Sequence, residues 1–296
     1  MSNNKEIEVE VMQITNEMIK KLREKTGAGM MDCKRALEQS GGDMDAAIEH
    51  LRKKGASIGQ KRSDRSAKEG AIVTKVSSDG TTGVIVEVNC ETDFVGRSDD
   101  FLGFGRTVAE TIERHKPSSV EALLSLQANN RKISELLDDL LARVGEKVDV
   151  RRFALYQTND GMISGYTHLG NKIGVLVELS KRSGDAAPVG RDVAMQVAAM
   201  NPMVVTRDQI GPDVVERELD IYRTQAKNEG KPPQVVDKIV AGKLEKFYQE
   251  VCLLEQTFIK DSGKTIKEYL QDAGGNAAPH LTVKRFNRFH LGEETS

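Results

Sequence analysis

Gly83-Val84-Ile85-Val86-Glu87-Val88 is matched 91 positions later by Gly174-Val175-Leu176-Val177-Glu178-Leu179. Both stretches are rich in β-branched residues, which predicts buried strands. Gly70 falls on Gly161 at the same offset, so glycines and acids are in register as well as apolar residues. A chance match between two valine-rich strands is the alternative. The shared glycines and acids favour an internal duplication.

Helical patterns follow both copies, at Phe101 to Ile112 and at Asp192 to Met200. Each copy is therefore predicted to be a hairpin followed by a helix, which indicates the α+β class. The domain boundaries that follow are 70–156 for core subdomain 1 and 157–291 for core subdomain 2, with a short tail at 292–296.

The N-terminal region, 1–56, is predicted to be a domain of three short helices. The first ends at Gly27, the second runs from Asp32 to Gly41 and Gly42, and the third begins after Asp43 as N-cap and ends at Gly55. The apolar positions of the three helices recur at helical spacing and are Ile14, Met18, Ile19, Leu22, Cys33, Ala36, Leu37, Met44, Ala47, Ile48 and Leu51.

A basic stretch joins these helices to the core. Between Arg52 and Lys68 there are seven Lys or Arg residues and one acid, Asp64, among Gly and Ser. This composition predicts a solvated, flexible linker at 57–69. A basic tether for nucleic acid is the sharper alternative.

A helical hairpin is predicted at 212–250, inside the second copy. Apolar residues recur at heptad-like spacing on both sides of the turn Gly230-Lys231-Pro232-Pro233. They are Val215, Leu219, Tyr222 and Ala226 before the turn and Val236, Val240, Leu244 and Phe247 after it. Two core helices would show a similar pattern, but the short turn and the polar outer faces favour a protruding antiparallel coiled coil.

Composition excludes several classes of protein. Aromatic residues make up 4% of the chain and Trp is absent, whereas binders of single-stranded nucleic acid need aromatic stacking platforms. A net charge of -2 gives no general attraction to nucleic acid or membrane. The acidic N-terminus is unlike a signal or transit peptide, and three scattered cysteines, Cys33, Cys90 and Cys252, fit the reducing cytoplasm.

The sequence gives no positive evidence of a catalytic motif. Gly263-Lys264-Thr265 has Phe258 where a phosphate-binding loop requires glycine, and Gly103-Phe104-Gly105 lacks the third glycine of a dinucleotide fingerprint. The five histidines show no metal-ligand spacing. We therefore expect a protein that is not an enzyme and has no cofactor or metal site.

One segment has the position of a functional loop. Val88-Asn89-Cys90-Glu91-Thr92-Asp93-Phe94-Val95 lies at the end of a predicted buried strand and before a helix. On composition alone, the favoured interpretation is structural, with Asp93 capping a turn while Phe94 and Val95 cover the core. The alternative is a recognition loop with an aromatic wedge beside a carboxylate.

The segment Thr92-Asp93-Phe94-Val95 resembles a signature of the elongation factor Ts family, and so does the stretch from Thr26 to Leu37. The likeness continues through Arg143-Val144-Gly145-Glu146, Tyr166-Thr167-His168, Gly174-Val175-Leu176-Val177 and Leu253-Leu254-Glu255-Gln256. It covers nearly the whole chain in the family's order. The resemblance implies a ubiquitin-associated-like N-terminal domain, a duplicated core and a protruding coiled coil.

The function implied by the resemblance is guanine nucleotide exchange on the GTPase elongation factor Tu. In the family, the pair equivalent to Asp93 and Phe94 inserts near the Mg²⁺ and phosphate site of the GTPase, with Thr92 and Val95 completing the signature. The further partner contacts implied by the resemblance are Met30, Met31, Val144, Gly145 and His168. For Met30 and Met31, packing inside the helical domain is the alternative, and His168 could equally be a turn residue.

Departures from the family pattern are small. Gly96, Arg97 and Ser98 stand where an alanine, a basic residue and asparagine are more common, and Thr257 stands where proline is common. The resemblance requires neither a membrane nor direct contact with nucleic acid, and it leaves a homodimer or a 2:2 complex with the partner open.

Three other functions are alternatives to nucleotide exchange. A ubiquitin-associated-type adaptor without exchange activity would explain the N-terminal helices alone. An RNA-associated protein would use the basic linker and Lys284-Arg285-Phe286-Asn287-Arg288-Phe289, whose phenylalanine spacing fits a strand. An enzyme is disfavoured by the absence of catalytic motifs.

Overall fold

The computed structural model describes residues 14–61, 65–168, 170–182, 186–274 and 280–293. The helices are α1 (Asn16–Thr26), α2 (Met30–Gln39), α3 (Met44–Lys61), α4 (Asp93–Gly96), α5 (Asp99–His115), α6 (Val120–Ser125), α7 (Ile133–Val144), α8 (Ala186–Met200), α9 (Pro212–Asn228), α10 (Pro233–Val251) and α11 (Ile266–Gly274). The strands are β1 (Glu69–Val76), β2 (Thr82–Cys90), β3 (Gln127–Ala128), β4 (Arg131–Lys132), β5 (Val148–Gln157), β6 (Met162–Thr167), β7 (Ile173–Leu179), β8 (Thr257–Phe258), β9 (Asp261–Thr265) and β10 (Val283–His290). The mixture of helices and small sheets places the chain in the α+β class.

Contacts divide the chain into two compact units. The first unit contains the described residues of Met1–Ala71 together with Glu87–Arg152, and the second contains those of Phe153–Ser296 together with Ile72–Val86. Two three-stranded sheets form the core of the fold, one in the order β1-β2-β5 and the other in the order β10-β7-β6.

The three N-terminal helices form as the apolar pattern predicts. Gly27 ends α1 in the left-handed conformation, and the Asp43 carboxylate accepts a hydrogen bond from the N–H of Ala46 at 2.9 Å at the start of α3. The predicted apolar residues make one cluster, in which Ile19, Leu22, Cys33, Ala36, Leu37, Ala47 and Leu51 are buried. The second helix begins at Met30, two residues earlier than predicted.

The predicted end of the third helix at Gly55 is wrong, because α3 continues to Lys61. A Cβ atom on Gly55 would collide with the carbonyl oxygen of Asp138 on α7. Gly55 is therefore a close-packing position between two helices rather than a helix end. Residues 57–61 of the predicted linker at 57–69 therefore belong to α3, Glu69 begins β1, and 62–64 lie outside the described residues. Arg52 of the basic stretch is paired with Asp139 at 3.7 Å.

Hydrogen bonds in the second unit link equivalent positions of the two sequence copies reciprocally. The N–H of Ile72 donates to the carbonyl of Asn171 at 2.7 Å, and the N–H of Ile163 donates to the carbonyl of Gly80 at 2.8 Å. Each residue of the second bond lies 91 positions from its counterpart in the first. Gly80 and Asn171 are both left-handed, with φ of 67° and 56°. Reciprocal contacts of this kind are the pattern of a local two-fold axis.

The glycines of the repeat show the same reciprocity. A Cβ atom on Gly83 would collide with Ile163, and one on Gly174 would collide with Ile72. Ile72 and Ile163 are buried in one apolar cluster with Ile85 and Leu176. The glycines at these positions therefore admit the isoleucine of the other copy into the core.

Helices α9 and α10 pack against each other across the turn that precedes Pro233. Ala226 and Val240, two of the predicted apolar positions, are buried, and the others are half-buried. The predicted pair of helices is present, with bounds close to those expected.

Candidate functional site

Among the described residues, the most exposed large apolar side chain is that of Phe94, which is 85% exposed. It lies on the four-residue helix α4, directly after β2. An aromatic ring exposed to water lacks the stabilisation that burial would give it. Other interactions must therefore hold the surrounding backbone so that the ring stays exposed. Phe94 does not cover the core, contrary to the interpretation favoured on composition.

The helix that carries Phe94 is capped by Thr92, not by Asp93 as expected. The Thr92 hydroxyl accepts from the N–H of Val95 at 3.4 Å. Asp93 occupies the first helical position, where its carboxylate is paired with Arg97 at 2.7 Å. We call residues Glu91–Ser98 the recognition loop.

Two crossed carboxylates fasten the recognition loop to the segment after α7. The carboxylate of Glu146 accepts from the backbone N–H of Thr92 at 3.0 Å and from its hydroxyl at 2.9 and 3.1 Å. In return, the carboxylate of Glu91 accepts from the backbone N–H of Lys147 at 2.7 Å and from Arg65 at 3.0 Å. These charge-assisted hydrogen bonds are stronger than bonds between neutral groups.

Val144 and Gly145, two of the expected partner contacts, immediately precede Glu146. Val144 ends α7, and Gly145 follows in the left-handed conformation with φ of 68°. The bonds from Glu146 to Thr92 therefore bring the end of α7 to the recognition loop. In the sequence, Glu146 stands out only as part of the segment 143–146. No local pattern indicates its contact with Thr92, which lies 54 positions away.

Met30 and Met31 lie on another element of the first unit, in the first turn of α2. Their side chains are 56% and 63% exposed, so they do not pack within the helical cluster. Methionine adapts its shape to apolar partners, and two neighbouring exposed copies form a small apolar patch.

His168 is exposed in the second unit and takes part in a turn. Its N–H donates to the carbonyl of Ile173 at 2.9 Å and its carbonyl accepts from Asn171 at 3.0 Å. The Nδ1 atom lies 2.8 Å from the Tyr166 hydroxyl. Both residues line a cleft of about 370 Å³ together with Met195. His168 therefore lies in a turn, and because its ring is exposed the expected partner contact stays a prediction.

The cysteines are buried and unreactive in character. Burial raises the pKa of the Cys90 thiol to about 12 and that of Cys252 to about 11, and it also raises the pKa of Cys33. Thiols with such pKa values stay protonated at neutral pH, which removes the nucleophilic form. Cys90 instead donates to the Thr92 carbonyl at 3.0 Å.

The described ranges contain neither a group of metal-binding side chains nor a membrane-spanning helix. Nowhere in them do three or more His, Cys, Asp or Glu side chains come together in a group that could hold a metal ion. Among the helices of those ranges, none has the length and apolar character needed to cross a membrane.

Known proteins match this chain over most of its length. The family model described as Elongation factor TS matches residues 91–293. Elongation factor Ts of Prosthecochloris aestuarii (strain DSM 271 / SK 413) is 47% identical over 285 residues, which cover 95% of this chain and 99% of that protein. The proteins of the same name from Chlorobium phaeobacteroides (strain BS1) and Clostridium perfringens (strain SM101 / Type A) are each 43% identical, over 95% of this chain and 99% and 93% of their own lengths.

Proposed function

The chain belongs to the elongation factor Ts family, and from that premise we propose that it is a guanine nucleotide exchange factor for elongation factor Tu. It binds the GDP form of that GTPase, releases GDP and lets GTP bind during translation elongation. It works in the cytoplasm as a binding protein and catalyses no bond change of its own.

The observation that carries this proposal is the exposure of Phe94 on a loop held by carboxylate clamps. Phe94 and Asp93 insert beside the Mg²⁺ and phosphate site of the partner, with Thr92 and Val95 fixing their direction. Mg²⁺ bridges the nucleotide phosphates to a GTPase, so displacing its ligands weakens GDP binding without breaking a covalent bond. An exposed aromatic side chain presented by a fixed backbone suits such a wedge.

Linkage makes the action reversible. A factor that loosens nucleotide must itself be loosened by nucleotide to the same degree, because the coupling free energy between the two ligands is shared. Rebinding of GTP therefore releases the factor from its partner.

The remaining contacts extend the same interface. Met30 and Met31 dock on the GTPase domain as an apolar patch, Val144 and Gly145 contact it beside the recognition loop, and His168 contributes from the second unit. No contact to nucleic acid or membrane is needed. A homodimer or a 2:2 assembly with the partner is compatible with this use of the surface.

The domain division proposed follows the sequence repeat, with one change in the helices. It differs from the division by contacts, which groups Ile72–Val86 of core subdomain 1 with Phe153–Ser296. The ubiquitin-associated-like helices extend to Lys61, where α3 ends, rather than to residue 56. Core subdomains 70–156 and 157–291 arise by duplication, which the reciprocal contacts of Ile72 and Ile163 support. Helices α9 and α10 form a protruding coiled coil.

The test is release of a fluorescent GDP analogue from elongation factor Tu at fixed Mg²⁺, with catalytic amounts of this protein. We expect strong acceleration, and Phe94→Ala should lower kcat/KM for exchange about 30-fold, the equivalent of about 2 kcal/mol at a binding hot spot. Met203→Ala is the matched control, because Met203 is a 58% exposed apolar residue of the second unit that belongs neither to the recognition loop nor to the other proposed contacts.

Chelation of Mg²⁺ provides a second arm. If the wedge acts on the Mg²⁺ site, the acceleration should shrink in EDTA, where nucleotide release no longer depends on displacing the ion. An unchanged rate in Phe94→Ala would contradict the wedge. No acceleration by the folded wild-type chain would contradict exchange altogether and leave the adaptor function to be tested by binding alone.

A further inference from the structure

We propose that Glu146 is a positioning residue for nucleotide exchange: its carboxylate sets the backbone of the recognition loop so that Phe94 is presented in its inserting direction before the partner arrives. This inference rests on the proposed exchange function. It assigns to Glu146 a role through Thr92 rather than a contact with the nucleotide.

Glu146 binds Thr92, the residue that caps the start of α4. Thr92 is the N-cap, with φ of -124° and ψ of 153°, and its hydroxyl accepts from Val95 at 3.4 Å. Glu146 accepts from both the N–H and the hydroxyl of this same residue, at 2.9 to 3.1 Å. The carboxylate therefore fixes the Thr92 side chain in the rotamer that caps the helix, and the cap precedes Phe94 by two residues.

Helix α4 needs such outside support. It has four residues, and a helix of this length is unstable alone because nucleation fixes several dihedral angles for each hydrogen bond gained. The Asp93–Arg97 ion pair and the bond from the Ser98 hydroxyl to the Val95 carbonyl lie within the loop itself. They make the loop compact, but they do not tie it to another element.

The second carboxylate clamp makes the attachment rigid. Glu91 accepts from the N–H of Lys147, the residue after Glu146, so adjacent residues of one segment bind adjacent residues of the other. Two crossed attachments resist rotation of the loop about either one. Arg65 on Glu91 and the bond from the Lys147 ammonium to the Arg65 carbonyl close a further ring of contacts.

A loop without this anchor must be ordered at the moment of binding, and ordering costs about 0.5–1.5 kcal/mol for each side chain that is immobilised. The Phe94 ring gains its interactions only when it enters the partner. A freed loop therefore slows exchange by raising the cost of productive insertion. We expect Glu146→Ala to lower kcat/KM for nucleotide exchange about tenfold. Because the freed loop can still insert, kcat at saturating partner should fall much less.

The decisive experiment is a double-mutant cycle between Glu146→Ala and Phe94→Ala, measured by release of the fluorescent GDP analogue. If Glu146 acts through the presentation of Phe94, the tenfold loss should fall to within about twofold in the Phe94→Ala background, because the ring that it positions is gone. Glu146→Gln should recover most of the activity, since its amide still accepts from the Thr92 N–H.

A matched control and a structural readout accompany the cycle. Glu135→Ala removes another carboxylate of α7, which is paired with Arg131 at 3.6 Å. This variant should leave the rate of nucleotide exchange unchanged. Amide hydrogen exchange at Thr92 should accelerate in Glu146→Ala, since the acceptor of its N–H is lost, while exchange protection in β2 should stay as in the wild type.

The outcomes separate this inference from the proposed function. Wild-type exchange, a Phe94→Ala defect and a fully active Glu146→Ala variant would overturn the positioning role and leave the function intact. A tenfold loss that persists in the Phe94→Ala background would also overturn it, because Glu146 would then act independently of the ring. Inactive wild type would instead remove the proposed function.

Discussion

Glu87 on β2 and Glu178 on β7 occupy equivalent positions of the two sequence copies, and the structure treats them alike. Both carboxylates are buried and paired with basic side chains of the adjacent strand. Glu87 contacts Arg151 at 3.0 Å and Arg152 at 2.7 Å on β5, while Glu178 contacts Arg285 at 2.7 Å on β10. The buried ion pairs belong to the duplicated framework.

The copies differ where their central strands end. β2 leads through Cys90 into the recognition loop, whereas the positions equivalent to Thr92-Asp93-Phe94-Val95 read Ser183-Gly184-Asp185-Ala186. Of these, 183–185 lie outside the described residues, and Ala186 is buried at the start of α8. The sheet is common to both copies, while an exposed phenylalanine follows the central strand in only one of them. We therefore expect the shared positions to serve the fold and the unshared loop to serve the proposed function.

The largest effect is expected where the copies agree. Glu87→Ala and Glu178→Ala each leave basic side chains without their buried partner, and removing one member of such a pair costs about 3–5 kcal/mol of unfolding free energy. Glu178→Ala should cost less than Glu87→Ala, because the side chain of Arg285 is 48% exposed and can turn to water, against 20% for Arg152. Urea unfolding measures both.

Glu135→Ala is the control for this comparison, since a partly exposed carboxylate on the surface contributes within about 0.5 kcal/mol. If Glu87→Ala were as mild as Glu135→Ala, the buried pairs would not support the framework, and the likeness between the two copies would be one of sequence only.

A smaller effect is expected at the glycines that admit the isoleucine of the other copy. Gly83→Ala and Gly174→Ala each force a methyl group against a buried, stiff side chain, and overpacking of this kind costs about 1–3 kcal/mol. The two losses should be equal because the contacts are reciprocal. Unequal losses in urea unfolding would break the two-fold comparison.

Gly242→Ala provides the opposite case. Gly242 lies inside α10 with open space where a Cβ would stand. Alanine has the higher helix propensity, so this variant should gain about 0.5–1 kcal/mol. Together, the variants at Gly83, Gly174 and Gly242 test whether a glycine-to-alanine change raises or lowers the unfolding free energy according to the space around the new methyl group or according to backbone entropy.

Much of the secondary structure and the internal repeat could be predicted, because both depend on patterns of neighbouring residues. Hydrophobic periodicity and turn residues predict the strands and the apolar seam of α9 and α10. The repeat of 91 positions identifies Gly83 and Gly174 as equivalent. The end of α3 could not be read in this way. Gly55 has the local character of a helix end, but packing against α7 overrides that preference, and nothing near it in sequence announces the distant helix.

The sequence predicts a candidate site after β2, but it does not predict how the residues of that site are held. The sequence indicates a loop at the end of a buried strand. It does not show whether Phe94 covers the core or is exposed to water, because the local sequence is compatible with both. The clamp from Glu146 to Thr92 joins positions 54 apart, a pairing that no local rule specifies. Family resemblance named the residues; only the contacts show how they are held.

A third comparison concerns the turns, where the effects should be smaller again. Gly80 and Asn171 are equivalent and both left-handed, a conformation that costs residues with a Cβ roughly 1–2 kcal/mol unless they are asparagine or aspartate. Gly80→Ala and Asn171→Ala should each lose about 1 kcal/mol, and Gly80→Asn should lose less. Thermal unfolding resolves the order, and a tolerant Gly80→Ala variant would show that the two turns are under different constraints.

The smallest effect on stability is expected at the residue with the largest effect on exchange. Phe94 is 85% exposed, so Phe94→Ala removes little buried area and should change the unfolding free energy by no more than about 0.5 kcal/mol. The same preparation should show the loss of exchange described above. Urea unfolding and GDP release measured together therefore test whether the exposed ring serves exchange without supporting the fold. A stability loss above about 2 kcal/mol would mean that the ring packs on the core in solution, and the wedge would then lose the exposed side chain on which it depends.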